Sequence, residues 1–136
     1  MRPRTHFSSE EIHELQKALA TLSKSTHRDL SLNELLQGWN QFVSMVERGY
    51  KESVYDYTND LSVRDLLESL LLNVPASVRD KISALLEPYD LRFQAATSPT
   101  GQPLLRGLED PRSWWFRIPK VLGPELEDDL RAQGIA

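Results

Sequence analysis

Four serines in this chain resemble helix starts, because each has a carboxylate three residues later and stands before apolar residues at helical spacing. The pairs are Ser8 with Glu11, Ser31 with Glu34, Ser62 with Asp65, and Ser77 with Asp80. In such a pair the serine oxygen accepts a hydrogen bond from a free amide of the first turn, and the carboxylate faces the positive end of the helix dipole. Four helix starts of this kind predict an all-α fold.

Apolar residues follow each start at intervals of three and four, which is the spacing of one helix face. The second helix is expected to end at Gly49 and the third at Pro75. Within the fourth, Pro88 must kink or restart the helix, because proline has no backbone amide. A short last helix is expected to begin with Pro124 at its first position and to end near Gly134.

The stretch 50–60 carries apolar or aromatic residues spaced by four, three and four: Tyr50, Val54, Tyr57 and Leu61. This spacing would allow further helical turns before Ser62. Ser62 would then mark a break or a bend instead of a helix start. The sequence leaves both descriptions open.

Residues 98–123 show no helical pattern. Turn-forming residues dominate their beginning, and an irregular stretch of this length in a compact domain is usually functional or a wrapping arm. It leads into WWFRIP at 114–119, whose aromatic residues favour a short strand or clasp, too isolated to form a sheet alone. We therefore predict one all-α domain over residues 1–136, with five or six helices in a compact bundle, a long C-terminal loop and a short extended aromatic segment.

Three aromatic residues stand together at Trp114, Trp115 and Phe116. Side chains alternate along an extended backbone, so the three rings cannot all face a core. Either Trp115 or the two residues that flank it would then be partly exposed. An exposed ring would contact a partner or a second copy of the chain; the alternative is that the rings close the helical core.

Size and composition limit the function classes. The 136 residues suffice for one domain with a sizeable core, and the absence of cysteine removes disulfides and the usual zinc sites. A formal net charge of −4 argues against general nucleic-acid binding. The sequence shows no secretion signal and no apolar run near the ~18 residues of a membrane span. We expect a cytoplasmic protein that binds neither nucleic acid nor a membrane.

The net charge is concentrated in residues 47–90, which hold nine carboxylates, five cations and all four tyrosines. Six charged residues recur there every four positions: Arg48, Glu52, Asp56, Asp60, Arg64 and Glu68. On a continuous helix they would form a stripe, with the two arginines offsetting part of the negative charge. The stripe is either a solvated, salt-bridged surface or a negative patch that steers a cationic partner.

Tyrosines next to the carboxylates favour the second description. Tyrosine offers a large contact area at low entropy cost and is frequent among binding hot spots. The sequence thus predicts a partner-binding surface made of Tyr50, Glu52, Tyr55, Asp56 and Asp60, with Trp115 as a further contact.

Sequence motifs of catalysis are absent: there is no G-x-S-x-G, no P-loop, no G-x-G-x-x-G and no H-E-x-x-H. The three histidines lie in the N-terminal fifth, where surface or capping positions are expected. Asp56 and Asp60 could hold a hard cation or act as an acid–base pair, so a small metal-dependent hydrolase is the competing hypothesis. We predict that the protein is not an enzyme and has no catalytic residue, metal ligand or cofactor.

Two segments carry a resemblance to known proteins. Residues 49–65, with the run YDYTND at 55–60, resemble small, mostly helical bacterial cytosolic proteins, and WWFRIPK at 114–120 is similar to the closing segment of the same proteins. Some of these look like immunity proteins, which neutralise a secreted toxin in the cell that produces it. The resemblance implies an acidic binding face against a basic, nuclease-type toxin domain.

The predicted function is therefore protein–protein recognition, most concretely that of an immunity-type inhibitor with an acidic, tyrosine-bearing face. Besides the hydrolase, a structural or regulatory module remains as an alternative, a homodimer joined through Trp114 and Trp115.

Overall fold

The computed structural model describes residues 6–100 and 117–134, which form five helices and two short strands. In chain order these are α1 (Ser9–Thr26), α2 (Leu32–Arg48), α3 (Val54–Leu72), α4 (Ala76–Ala96), β1 (Thr97–Pro99), β2 (Arg117–Pro119) and α5 (Pro124–Ala132). The mainly helical class predicted from the sequence is confirmed.

Helix α3 contacts each of the four other helices, and α2 packs against both α3 and α4. Helix α1 contacts α3 and α4, whereas α5 packs against α3. Five aromatic rings fill the space between these helices with centroids 5.1–6.1 Å apart: Trp39, Phe42, Tyr50, Tyr57 and Phe93. Such ring contacts add to the stabilisation from burial alone.

The first two predicted helix starts are confirmed. Ser8 Oγ accepts from the amide of Glu11 at 3.1 Å, and the Glu11 carboxylate accepts from the amide of Ser8 at 2.8 Å, which completes a capping box. Ser31 caps α2 by accepting from the amide of Glu34 at 3.1 Å. Caps of this type contribute about 1 kcal/mol each.

Helix α1 buries a narrower face than its periodicity predicts. Leu15 and Ala18 are buried, but Ile12 is 43% exposed. At 100° per residue, Ile12 lies about 120° around the helix from Ala18, which explains why Ile12 is not part of the buried face.

Helix α3 begins earlier than expected, and the predicted helix start at Ser62 is wrong. Its cap is Ser53, whose Oγ accepts from the amide of Asp56 at 3.1 Å. Ser62 lies inside the helix, where its hydroxyl donates to the carbonyl of Asn59. The earlier start is favoured because it makes Tyr57 part of the helix, on the side that faces the core, and the Tyr57 side chain is completely buried there. The open question about residues 50–60 is thus answered by a helix from Val54 onward.

Helix α4 differs from its prediction at its start and does not restart at Pro88. Its N-cap is Pro75, so Ser77 lies inside the first turn and does not cap it. Pro88 does not restart the helix, which continues as one element from Ala76 to Ala96. Contacts beyond the proline hold the second part of the helix in place. Phe93 is buried in the core, and the guanidinium of Arg92 forms hydrogen bonds with three side chains of α2.

The described end of the extended segment, Arg117–Pro119, is a short strand as predicted, and it forms a two-stranded sheet with the residues that follow α4. Strand β2 pairs antiparallel with β1, with Thr97 opposite Pro119. The guanidinium of Arg117 donates from Nε to Thr97 Oγ1 at 2.8 Å and from Nη2 to the Thr97 carbonyl at 3.1 Å. The predicted aromatic contact Trp115 and its neighbour Trp114 lie outside the described residues.

Candidate functional site

The turn between α2 and α3 is fixed by the segment that leads into α5. Gly49 ends α2 at a φ of +98°, a value that glycine adopts without strain. The carbonyl of Tyr50 accepts from the amide of Gly123 at 3.0 Å, and Tyr50 forms a parallel bridge with Leu122. A Cβ atom added at Gly123 would overlap the Tyr50 carbonyl oxygen and lie 2.9 Å from the Cα of Lys51, so two backbones meet where only glycine fits.

Tyr50 points into the core from this turn. Its side chain is completely buried, and its ring packs edge-on against Tyr57, with centroids 5.2 Å apart. The hydroxyl donates to Asp60 Oδ2 at 2.5 Å. Burial is the main reason that the pKa of Tyr50 lies far above its usual value; the hydrogen bond to Asp60 and the charges of Asp60, Asp56 and Glu52 raise the pKa further. Asp60 therefore contacts the buried hydroxyl directly, and the charges of Asp56 and Glu52 also disfavour its ionisation.

The first turn of α3 uses two carboxylates for its own structure. Asp56 Oδ2 accepts from the hydroxyl of Ser53 at 2.9 Å, while Ser53 caps the helix. Asp129, on α5, accepts from the amide of Val54 at 3.0 Å. Both acids stand at the positive end of the α3 dipole, which stabilises them there. Asp129 thus brings a fourth carboxylate to this place in the fold.

The remaining predicted residues are on the surface. Tyr55 is 64% exposed, Glu52 and Asp56 are exposed, and Asp60 is half-buried. We call these four residues the acidic face. Tyr50 is not available as a contact residue, contrary to the prediction, because its ring is buried. Only its hydroxyl reaches the acidic face, through the hydrogen bond to Asp60.

Arg64 does not lie beside the acidic face to offset its charge, as the four-residue spacing suggested. It is 7% exposed and forms two hydrogen bonds with Asp90, each 3.0 Å long. It also pairs with Glu68 at 3.0 Å, and Trp39 Nε1 donates to Asp90 at 2.9 Å. This network joins α2, α3 and α4 inside the fold and leaves the acidic face without this cation.

A small concavity borders the acidic face at the end of α2. Its volume is about 270 Å³, and its lining residues are Met45, Arg48, Gly49, Lys51 and Glu52. Glu52 belongs both to this concavity and to the acidic face, so the two are continuous. Val121 stands at the edge, since its Cγ1 lies 3.0 Å from where a Cβ of Gly49 would be.

A second, larger concavity lies at the opposite end of α2, beside the end of α1. Its volume is about 680 Å³, and the polar groups on its rim include Lys24, His27, Arg28 and Asp29. These side chains are exposed and the concavity is open to solvent. None of the predicted contact residues lines it.

No three His, Asp or Glu side chains in residues 6–100 and 117–134 stand together as ligands of a metal ion. Over the same ranges, no helix is long and apolar enough to cross a membrane.

Comparison with family models, with curated proteins and with solved structures gives no match for this chain.

Two residues of the site were missed by sequence reasoning. Ser53 has the same three-residue spacing to Asp56 as the other capping pairs, so a local signal for it was present. Asp129 had no local signal, because its partner Val54 lies 75 positions away in the sequence.

Proposed function

We propose that the acidic face binds the basic surface of a partner protein, and that the protein acts as an immunity-type inhibitor of a basic, nuclease-like toxin domain. The observation that supports this most is the exposure of Glu52, Tyr55 and Asp56 where α3 begins. Asp60 follows one helical turn after Asp56 and accepts from the buried Tyr50 hydroxyl.

The acidic face lacks one of the two arginines expected to offset its charge, while Arg48 and Lys51 border it in the neighbouring concavity. Arg64, the cation expected at its far end, is committed to Asp90 and Glu68 inside the fold. Asp129 adds a carboxylate at the first turn of α3. A surface of one sign raises the rate at which a partner of opposite sign associates and disfavours partners of the same sign.

The face is also held in position before any partner arrives. Ser53 and Asp129 fix the first turn of α3, and Asp60 is held by the Tyr50 hydroxyl. Preorganised groups lose less conformational entropy on binding. Tyr55 adds an exposed aromatic ring of the type that dominates binding hot spots.

Site-specific photocrosslinking in the native cell tests this proposal. We would replace Tyr55 with p-benzoylphenylalanine, and Leu91 on α4 with the same group as a matched control, since both side chains are more than half exposed. We expect a crosslink from position 55, and not from position 91, to a protein with a basic surface. Equal crosslinking from both positions, or an acidic captured protein, would contradict the proposal.

The captured protein then allows a quantitative test. The double variant E52Q/D56N should slow its association several-fold at low salt and flatten the dependence of the rate on ionic strength, whereas E87Q on the exposed side of α4 should not. Immunity further requires that the protein inhibit the captured protein's nuclease activity at a one-to-one ratio. Binding without inhibition would show that the protein recognises this partner but is not an immunity protein.

A further inference from the structure

Two exposed apolar side chains lie at the small concavity that borders the acidic face. They are Met45 and Val121, two of the six large apolar side chains that are exposed among the described residues. Met45 lines the small concavity at 41% exposure, and Val121 stands at its edge at 56% exposure. An apolar patch with a charged rim is typical of a surface that contacts another molecule.

The size of the concavity indicates what kind of group it accepts. Its volume of about 270 Å³ falls below the ~300–1,000 Å³ of most small-molecule sites. One aliphatic or aromatic side chain from a partner protein fits inside it. Interface anchors of this kind enter pockets near the centre of the contact and are surrounded by polar groups.

Charge further specifies the occupant. Arg48 and Lys51 line the concavity and form no ion pair with another residue of the described ranges, while Glu52 leads on to the acidic face. A group of negative charge therefore fits beside the apolar anchor, and positive charge fits on the far side of Glu52. The concavity thus favours a partner that carries basic, apolar and acidic groups in this order over a partner that is only basic.

We propose that the concavity between Met45, Gly49 and Glu52 holds one apolar side chain of the partner, with an adjacent carboxylate facing Arg48 and Lys51 and basic residues facing the acidic face. This inference rests on the proposed function, since it describes the same partner. It adds the order of groups that the partner presents: basic, then apolar, then acidic.

Two peptides that differ at one residue test the anchor: acetyl-Lys-Lys-Gly-Leu-Glu-amide and the same peptide with Ser in place of Leu. The protein contains two methionines, Met1 and Met45, so ¹³C-methyl labelling gives one signal in the concavity and one internal control. We expect the Leu peptide to bind about five to ten times more tightly than the Ser peptide, because part of a leucine side chain is buried. Only the Leu peptide should shift the Met45 signal, and Met1 should not respond.

Protein variants provide the matching control. V121T should abolish the advantage of the Leu peptide, and L91Q should leave it intact, since Val121 and Leu91 are equally exposed at 56%. If the two peptides bind the unmodified protein with equal affinity, or if the Met45 signal does not shift, the proposal of an apolar anchor in the concavity is overturned.

Salt dependence separates this inference from the proposed function. If both peptides bind equally and lose affinity as salt rises, the acidic face remains supported and only the anchor fails. If the Leu peptide binds more tightly but salt has no effect, the anchor stands and recognition by charge fails. If neither peptide binds at millimolar concentration, both are overturned.

Discussion

The backbone amide of Val54 donates its hydrogen bond to the carboxylate of Asp129, although the two residues are 75 positions apart. The bond joins the first turn of α3 to α5. It adds to the cap that Ser53 provides, so this helix start depends on one local residue and one distant residue.

Replacing Asp129 with alanine should lower the free energy of unfolding by about 1 kcal/mol, because the amide of Val54 loses its acceptor and α3 loses a favourable charge at its positive end. D128A is the matched control, since the neighbouring Asp128 is exposed and its loss should change stability by less than about 0.5 kcal/mol. Urea unfolding followed by circular dichroism measures both. Equal effects of the two variants would contradict the role of Asp129.

Two Gly-to-Ala substitutions should act in opposite directions. G123A should destabilise the protein by about 1–3 kcal/mol, since the new Cβ would overlap the Tyr50 carbonyl and force two backbones apart. G38A, inside α2, places its Cβ 3.6 Å from Val63, which is an ordinary contact, and should stabilise by about 0.5–1 kcal/mol through helix propensity. Thermal unfolding of both variants checks the signs. A neutral G123A would mean that the turn at Tyr50 can move at no cost.

Stability should fall with rising pH above about pH 10, where tyrosine ionises in the unfolded chain. Burial raises the pKa of both Tyr50 and Tyr57, so the folded protein holds these protons more tightly than the unfolded chain does. A raised folded pKa gives stability that is present below the unfolded pKa and is lost above it. Each tyrosine should add up to about 1.4 kcal/mol per pH unit to the slope.

The variant Y50F isolates one of these two contributions. It should reduce the alkaline slope by the share of one tyrosine and lower stability near neutral pH by about 1 kcal/mol, because Asp60 loses a hydrogen bond. Urea unfolding between pH 9 and pH 11 compares the variant with the unmodified protein. An unchanged slope would show that Tyr50 ionises in the folded state.

Acid should remove the contribution of Glu11. The hydrogen bond from Lys81, followed by that from the amide of Ser8, lowers the pKa of Glu11 from 4.5 to about 2. A lowered folded pKa gives stability that is present above about pH 4.5 and is lost as the pH falls toward 2. The stability difference between the unmodified protein and K81M should therefore shrink over this range. K17M, which removes the surface partner of Glu14, is the control and should show a smaller pH-dependent difference.

The variant R64M should cost about 2–3 kcal/mol, because Asp90 would keep its charge without the guanidinium. This is less than the ~3–5 kcal/mol of a fully buried pair, since the Asp90 side chain is 27% exposed. The double variant R64M/D90N should recover part of the loss, because the amide oxygen can still accept from Trp39 Nε1. A double variant no more stable than R64M would show that the charge of Asp90 is not the source of the cost.

The sequence predicts those elements whose signals are local. Ser8 and Ser31 cap their helices as expected because the cap and its partner are three residues apart. Ser53 was missed although it has the same spacing to an acid as Ser62, and the helix that it caps buries Tyr57. That burial depends on packing against other helices, which no local pattern contains.

The acidic face was found only in part for the same reason. The spacing of Glu52, Asp56 and Asp60 predicts one surface for these carboxylates, and the charges of all three act on the Tyr50 hydroxyl. The burial of Tyr50 was missed because it follows from the close approach of Gly123, far along the chain. Whether Arg64 faces solvent or the interior likewise depends on Asp90, which stands on another helix.

The contact between Val54 and Asp129 has a consequence for the order in which the protein is made. When residue 60 has left the ribosome, every carboxylate of the acidic face already exists, but neither Gly123 nor Asp129 has been synthesised. The nascent chain therefore carries the charges of the face before it carries the groups that position them. We expect the competence to recognise a partner to arise late in translation, with the docking of α5.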